Sequence, residues 1–165
     1  MTILQSMAQE LEKEAVTTRK MLERIPDDKY EWQPHEKSMQ LGRLATHIAE
    51  LPSWLGMTLK TNEVDFSAND YVPTIISNKK DLLELWEKNL ADGKVQLVNA
   101  KEEQLEEPWI LRNGKDIYIN APKRDMLRIA LSQIIHHRAQ LGVYLRLLNI
   151  PIPGSYGPSA DDPNF

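Results

Sequence analysis

Four segments of the chain carry apolar residues at spacings of three and four, with charged and polar residues between them. This spacing gathers the apolar side chains on one face of an α-helix, so it predicts four amphipathic helices. The first is expected to end before Pro26, and Ser38 and Ser77 are expected to cap the second and third. The fourth is expected to run from Pro122 to about Asn149. The predicted core positions are Leu4, Met7, Leu11, Ala15, Thr18, Leu22, Ile25, Leu41, Leu44, Ile48, Leu51, Leu55, Leu82, Trp86, Leu90, Leu97, Met126, Ala130, Leu141, Tyr144 and Leu148.

The connections between the helices differ in character. Residues 61–77 lack periodicity and are interpreted as a crossover loop between distant ends of a bundle. Within Trp109–Ile119, two short apolar runs flank Asn113-Gly114, a favoured two-residue turn, and indicate a β-hairpin. We therefore predict one all-α domain over residues 1–165. It is expected to be an up-and-down four-helix bundle with a small β-hairpin before the last helix.

Polar side chains interrupt the apolar stripe of the last helix at Gln133 and His137. These positions project from one face of the helix, whereas His136 is turned about 100° away from His137. His47 lies at the edge of the second helix's stripe and also faces inward. Neutral imidazole binds zinc, nickel, iron or copper, and a catalytic site usually has three protein ligands and an open position. His47, Gln133 and His137 are therefore candidate metal ligands, with buried, hydrogen-bonded histidines as the alternative.

Two further residues could take part in chemistry. Glu50 follows His47 by three positions, a spacing also found in di-iron helical bundles, but the first and third helices offer no inward carboxylates to complete such a site. His35 lies in a loop with Trp32 and Pro34. It is either an acid or base at a cavity mouth or a hydrogen-bonding loop residue.

The segment after the last helix is rich in turn residues, and two prolines prevent the helix from continuing into it. Arg138 and Arg146 could pair with Asp161 and Asp162 in this tail. Such a pair near the end of the last helix would hold a segment that otherwise frays.

Charge and composition exclude several classes of function. The formal net charge is -4, from 20 basic and 24 acidic residues mixed along the chain, so no basic block is available for nucleic acid. The absence of cysteine excludes disulfides, thiolate metal sites and cysteine nucleophiles. No apolar run approaches the roughly 18 to 20 residues of a membrane span, and the acidic, amphipathic start is unlike a signal peptide. We expect a cytoplasmic protein that binds neither nucleic acid nor membranes.

Several segments together resemble the DinB and YfiT-like superfamily of small bacterial four-helix proteins. The resemblance covers nearly the whole chain. It is carried by residues 34–39 (PHEKSM), which lead into 44–50 (LATHIAE), and by residues 136–146 (HHRAQLGVYLR). The tail from Pro151 to Asp161 is also similar to the family's ending.

The resemblance implies a divalent metal, nickel or zinc, held by one histidine of the second helix and a His-x-x-x-His pair of the last helix. His47 matches the first ligand and His137 the last. The remaining position is Gln133, where this sequence departs from the family pattern. An amide oxygen binds these metals much more weakly than imidazole, so the departure bears directly on metal occupancy.

The resemblance also implies an activity, because characterised relatives include thiol-dependent S-transferases and isomerases. We expect a metal-dependent transferase or hydrolase whose metal activates a low-molecular-weight thiol or water on a small-molecule substrate. The alternative is a non-catalytic, metal-free member that binds a small molecule in the bundle cavity. A homodimer is expected from the family and from the large apolar surfaces of Trp54, Trp86 and Trp109.

Overall fold

Four long helices form the body of the protein in the computed structural model, which describes residues 1–68 and 74–163. Nearly all predicted core positions are buried, and Tyr144 and Leu148 pack at the edge of the core. The four predicted helices are therefore confirmed. They are α1 (Ile3–Leu22), α2 (Leu41–Lys60), α3 (Lys79–Asn99) and α4 (Lys123–Leu147).

The predicted start of α2 is wrong because backbone groups take the place of the expected side-chain cap. The first amide groups of α2 donate to loop carbonyls, Leu41 N to Trp32 O at 2.7 Å and Gly42 N to Tyr30 O at 2.8 Å. The helix therefore begins at Leu41 without a side-chain cap from Ser38.

The boundaries of α3 and α4 also differ from the prediction. Asn78, rather than Ser77, caps α3 by accepting a hydrogen bond from Asp81 N at 2.9 Å. Pro122 ends a strand immediately before α4 instead of lying inside the helix. The helix ends at Leu147, and Asn149 adopts a positive φ of 57°, which a short polar side chain tolerates.

Of the helices that follow each other in sequence, only α2 and α3 are main packing partners in the described part of the chain. Both α1 and α2 pack chiefly against α3 and α4, so α1 lies diagonally opposite α2, and α3 opposite α4. Consecutive helices are therefore neighbours only at α2 and α3, and the other two connections modify the expected up-and-down order. Residues 23–40 and 100–122 are long enough to cross the end of the bundle, which permits this arrangement.

The predicted hairpin belongs to a three-stranded mixed sheet. Strand β1 (Glu63–Asp65) pairs in parallel with β2 (Pro108–Asn113), which pairs antiparallel with β3 (Asp116–Pro122). The turn falls at Gly114-Lys115, one residue later than predicted, and Gly114 has the positive φ of 60° that glycine tolerates.

Strand β1 lies in the segment predicted to be an irregular crossover loop. Its Asp65 carboxylate accepts hydrogen bonds from Gly114 N at 2.9 Å and from the Ser67 hydroxyl at 2.7 Å. These hydrogen bonds and nearby Arg112 lower the pKa of Asp65 to about 2. The Asp65 side chain therefore ties β1 to the turn between β2 and β3. A strand of three residues is too short for an alternating pattern to predict. Residues 69–73 of the predicted loop lie outside the described residues.

The tryptophans are used inside the monomer. Trp86 and Trp109 are fully buried, and Trp54 is packed against the core. The dimer argument based on their exposed surface is therefore wrong, and the homodimer itself stays a prediction. Within the described ranges, no helix combines the length and apolar character needed to cross a membrane.

Candidate metal site

The α2 side of the site consists of His47 and Glu50. They lie three residues apart, with His47 Nδ1 3.9 Å from Glu50 Oε2, and both side chains are largely covered. Arg43 Nη1 donates to the same carboxylate oxygen at 3.2 Å. Burial opposes ionisation of Glu50, but interactions with His47, Thr74 and Arg43 outweigh it, so its pKa is below the usual value. An ionised carboxylate therefore lies beside the His47 ring.

The α4 side of the site is His137, which is only 8% exposed. Its Nδ1 lies 2.8 Å from Oε1 of Gln140, one helical turn later. An amide oxygen only accepts hydrogen bonds, so this contact places the ring proton on Nδ1 and leaves the Nε2 lone pair available. Burial is the main cause that lowers the pKa of His137. The hydrogen bond with Gln140 raises the pKa, and repulsion by His47 and His136 lowers it further. His137 is therefore held neutral, the form that binds metals.

The two helices bring the imidazoles of His47 and His137 together. Their ring centroids are 4.7 Å apart and their planes meet at 76°. His136 is exposed and contacts the His137 ring from the other side of the α4 turn, with centroids 4.9 Å apart. The pairing across the bundle therefore involves His137, while His136 lies outside it.

Gln133 meets His47 at a small cavity of about 130 Å³. Gln133 is half-buried, and its side-chain amide forms no hydrogen bond with another described residue. We call this space the inner cavity. Its lining consists of His47, Leu51, Trp54, Leu111, Ile119, Met126, Ile129, Ala130 and Gln133. His47 therefore connects the two sets, because its ring contacts His137 and its side chain lines the cavity with Gln133.

These residues fit a divalent metal only in part. Two imidazoles from different helices lie together, and imidazole is a ligand that zinc and nickel accept. Among the described residues, however, no group of three or more His, Cys, Asp or Glu side chains is arranged to hold a metal ion. The third candidate is the amide of Gln133. The geometry therefore offers two strong donors, one weak donor and an adjoining cavity.

The other two candidate residues, His35 and Glu50, have contacts that are explained by the fold. His35 is exposed, and its Nδ1 accepts from Lys37 N at 3.1 Å within its own turn, so the loop-residue interpretation is the one that the geometry supports. The expectation that α1 carries no inward carboxylate is wrong, because Glu14 is buried there, but Glu14 pairs with Arg138. Among the described residues, no second carboxylate joins His47 and Glu50 in a group that could hold a metal, so the di-iron pattern is not formed. Gln140 was missed by the sequence analysis, although its spacing of three residues from His137 is a usable signal.

Sequence reasoning also missed a buried ion pair on the α1-facing side of α4. Arg138 Nη1 donates to Glu14 Oε2 at 2.6 Å, and the two side chains are only 3% and 10% exposed. The guanidinium also donates to the Thr18 and Ser155 hydroxyls, and the Tyr156 hydroxyl donates to Glu14 Oε1 at 2.7 Å. Arg138 therefore pairs with α1 and not with the acidic tail residues.

The tail pairs with the other arginine. Arg146 forms an ion pair with Asp161, which confirms the predicted contact between the tail and the end of α4. The Asp161 carboxylate also accepts from Ile152 N at 3.0 Å. Both contacts lower the pKa of Asp161, that with Arg146 more strongly. The tail is therefore held in place by Arg146 at the helix end and by Tyr156 at Glu14.

With this geometry established, comparison with known proteins identifies the family. A family model for the DinB family matches residues 1–164. The chain belongs to the DinB family. The uncharacterized protein YrdA of Bacillus subtilis (strain 168) is 26% identical over 156 residues, covering 90% of this chain and 85% of that protein.

Solved structures share the DinB fold. A DinB-like protein of Bacillus cereus matches with a TM-score of 0.70 at 22% identity, covering 91% of this chain and 95% of that one. The mycothiol-dependent maleylpyruvate isomerase matches with a TM-score of 0.61 at 13% identity, covering 84% of this chain and 60% of that one. At these identities the likeness establishes a shared fold of four helices with a small sheet.

Proposed function

We propose that this DinB-family chain is a divalent-metal-dependent enzyme, a transferase or hydrolase that acts through a metal-activated thiol or water. His47 and His137 would hold a zinc or nickel ion, and Gln133 would act as a weak or water-mediated third ligand. The observation that carries the proposal is the convergence of two imidazoles from different helices, 4.7 Å apart, beside a cavity. The structural relative named as mycothiol-dependent adds support for a thiol.

A bound metal ion would supply a lowered pKa for a thiol or water at its open position. The chain's own residues prepare the ligands. Gln140 fixes the His137 tautomer, so that the Nε2 lone pair is presented rather than an N–H group. Glu50 places a carboxylate oxygen 3.9 Å from His47 Nδ1, where it would help to orient the His47 ring for a metal. The apolar side chains that line the inner cavity would limit the access of bulk water to the reacting group.

A second function is favoured by one specific observation, the amide at position 133. Gln133 lines a largely apolar cavity beside His47. Its amide is a weaker metal ligand than a histidine or a carboxylate would be at this position. Such a cavity can hold a small molecule without any metal. The metal-free binding protein is therefore the competing proposal, and position 133 separates the two.

Calorimetric titration with zinc and nickel of the protein purified without a histidine tag distinguishes the two functions. We expect measurable binding by the parent and at least tenfold tighter binding by Gln133→His, because each tenfold corresponds to about 1.4 kcal/mol. Gln133→Glu, which keeps the size of the side chain and adds a carboxylate, should also bind more tightly than the parent.

His47→Ala made in the Gln133→His background is the matched control and should abolish the gain. His35→Ala removes an exposed histidine remote in sequence and should change nothing. Equal affinities of parent and Gln133→His, or a gain that survives loss of His47, would show that these residues do not form one metal site.

A further inference from the structure

The turn between β2 and β3 carries a chemically reactive dipeptide that the candidate metal site does not use. Asn113 is the last residue of β2, and Gly114 follows it with a positive φ of 60°. In an Asn-Gly sequence, the backbone nitrogen of the glycine can attack the side-chain carbonyl carbon of the asparagine. Glycine permits this approach more readily than other residues, because it has no Cβ. Asn113 is therefore a candidate site of spontaneous deamidation.

The reaction needs only water as a co-reactant. A bond forms between Gly114 N and Asn113 Cγ, the bond from Cγ to Nδ2 breaks, and ammonia leaves with the hydrogen from Gly114 N. The product is a succinimide ring. Water then opens this ring at either carbonyl and leaves aspartate or isoaspartate at position 113. Both products carry a new negative charge, and isoaspartate also lengthens the backbone because the chain then passes through Cβ.

The side chain that is attacked is free to react. Asn113 is exposed, and its side-chain amide forms no hydrogen bond with another described residue. Exposed side chains exchange rotamers rapidly. The side chain of Asn113 can therefore reach the rotamers that bring Cγ towards Gly114 N.

The attacking nitrogen, in contrast, is held in place. Gly114 N donates a hydrogen bond to Asp65 Oδ1 at 2.9 Å. The same oxygen accepts from Ser67 N at 2.9 Å and from the Ser67 hydroxyl at 2.7 Å. Arg112 Nη1 donates to Gly114 O at 3.2 Å, and Arg112 Nη2 lies 3.4 Å from Asp65 Oδ2. Two oppositely charged side chains therefore hold the peptide groups on both sides of Gly114.

A carboxylate beside the attacking nitrogen could either promote or prevent the reaction. Promotion would require Asp65 to take the proton from Gly114 N. The hydrogen bonds from Gly114 and Ser67 lower the pKa of Asp65 to about 2, so this carboxylate is a very weak base. A backbone N–H group is a far weaker acid than a protonated carboxylate, so the proton stays on the nitrogen. The carboxylate also repels negative charge that develops on the nitrogen. Prevention is therefore the stronger effect.

We propose that Asn113 is a site of spontaneous deamidation, and that Asp65 protects it as long as β1 stays paired with β2. The reaction then proceeds from molecules in which β1 has opened locally and Gly114 N has lost its acceptor. Leu111 and Ile119 of the same hairpin line the inner cavity, so the product alters a segment that borders the candidate site. The proposal does not depend on a bound metal.

Peptide mapping by mass spectrometry during incubation at neutral pH tests the proposal. The rate at which aspartate and isoaspartate form at position 113 is measured in the folded protein and in a synthetic peptide of residues 111–116, which lacks Asp65. We expect the protein to react at least about tenfold more slowly than the peptide. A hydrogen bond to a charged group corresponds to about one to two powers of ten in rate.

Substitutions on β1 separate the Asp65 carboxylate from the rest of the strand. Asp65→Ala removes the acceptor of Gly114 N and should accelerate the reaction by about tenfold or more, towards the rate of the peptide. Asp65→Asn, which keeps the size of the side chain and removes its charge, should give an intermediate rate. Glu63→Gln is the matched control, because the Glu63 carboxylate on the same strand pairs with Arg112 rather than with Gly114. It should react as slowly as the parent.

Far-ultraviolet circular dichroism of each variant verifies the helical bundle before the rates are compared, and Asp65→Asn provides the test if Asp65→Ala does not fold. A parent protein that deamidates as fast as the peptide would show that Gly114 N is not protected. If neither Asp65 variant reacts faster than the parent, the protection belongs to the backbone of the turn. If Glu63→Gln reacts as fast as Asp65→Ala, it belongs to strand pairing in general. Each of these results overturns the role of Asp65.

Discussion

His137 and Arg138 are consecutive residues of α4, and both are almost inaccessible to solvent, yet their polar atoms are satisfied to different degrees. Arg138 turns towards α1, where the guanidinium bonds to Glu14, Thr18 and Ser155. His137 turns towards α2, where Nδ1 bonds to Gln140 and the other ring nitrogen has no hydrogen-bond partner among the described residues.

The difference separates a structural cluster from a candidate site. A buried polar cluster whose groups bond to one another holds the fold and has little left to offer a ligand. A buried imidazole with a free lone pair, next to a second imidazole and a cavity, retains binding capacity. Unsatisfied hydrogen-bonding capacity, more than burial or charge, therefore distinguishes the side of α4 that we propose to bind a ligand.

The largest expected effect is a loss of stability when the buried ion pair of Arg138 and Glu14 is broken. Glu14→Leu or Arg138→Met alone leaves one buried charge without its partner, which should cost about 3–5 kcal/mol in the free energy of unfolding. The double variant should recover most of this loss, because two apolar side chains replace the pair. Urea denaturation of the four proteins gives the coupling energy.

Glu12→Leu is the matched control for Glu14→Leu. Glu12 lies two residues earlier on α1, and its side chain is 63% exposed, so its loss should stay within about 0.5 kcal/mol. Additive single-variant effects in the double variant would show that Glu14 and Arg138 do not act as a pair.

The tail should give the next largest effect. Deletion of residues 155–165 removes the bonds from Ser155 to Arg138, from Tyr156 to Glu14 and from Asp161 to Arg146. We expect the melting temperature to fall by several degrees, since 1 kcal/mol shifts it by roughly 2–4 °C in a chain of this size. Scanning calorimetry measures the shift.

Single substitutions divide the tail's contribution between its two ends. Tyr156→Phe removes only the hydroxyl that donates to Glu14, and Asp161→Asn only the charge that faces Arg146. The first should lower the melting temperature more, because its acceptor is buried in the structural cluster. A deletion variant that melts with the parent would mean that the tail does not stabilise the bundle.

The sequence was sufficient for the helices because their apolar stripes are long and regular. Seven of the predicted α1 positions, from Leu4 to Ile25, are buried as expected. Helix order was not predictable in the same way, since the apolar stripe of α1 fits α2 or α3 equally well. Strand β1 has three residues and depends on Asp65, whose partner Gly114 is 49 residues away. No local pattern contains that contact.

Part of the candidate site could also be predicted from the sequence, and part could not. Periodicity placed His47, Gln133 and His137 on inward or nearly inward faces, and the two imidazoles do meet. The contact of Arg138 with Glu14 joins residues 124 positions apart, and that of Tyr156 with Glu14 joins residues 142 positions apart. Such features require the packed structure, because their partners are chosen by tertiary geometry and not by spacing.

The smallest expected effect is a loss of stability at acid pH that is caused by His137. Burial holds the pKa of His137 below its ordinary value of 6.5, which the unfolded chain retains. As pH falls below 6.5 the unfolded chain takes up this proton before the folded protein does, so the free energy of unfolding decreases. The loss continues until the pH passes the folded pKa. Above pH 6.5, His137 does not change how the free energy of unfolding depends on pH.

Urea denaturation from pH 7.5 to pH 5, with a chelator present to keep the site free of metal, measures this slope. His137→Gln should flatten it, whereas His35→Gln, which replaces an exposed histidine, should leave it as in the parent. If His137→Gln retains the parent's slope, the ring of His137 is not held neutral by its surroundings, and the contrast between the two sides of α4 loses its electrostatic basis.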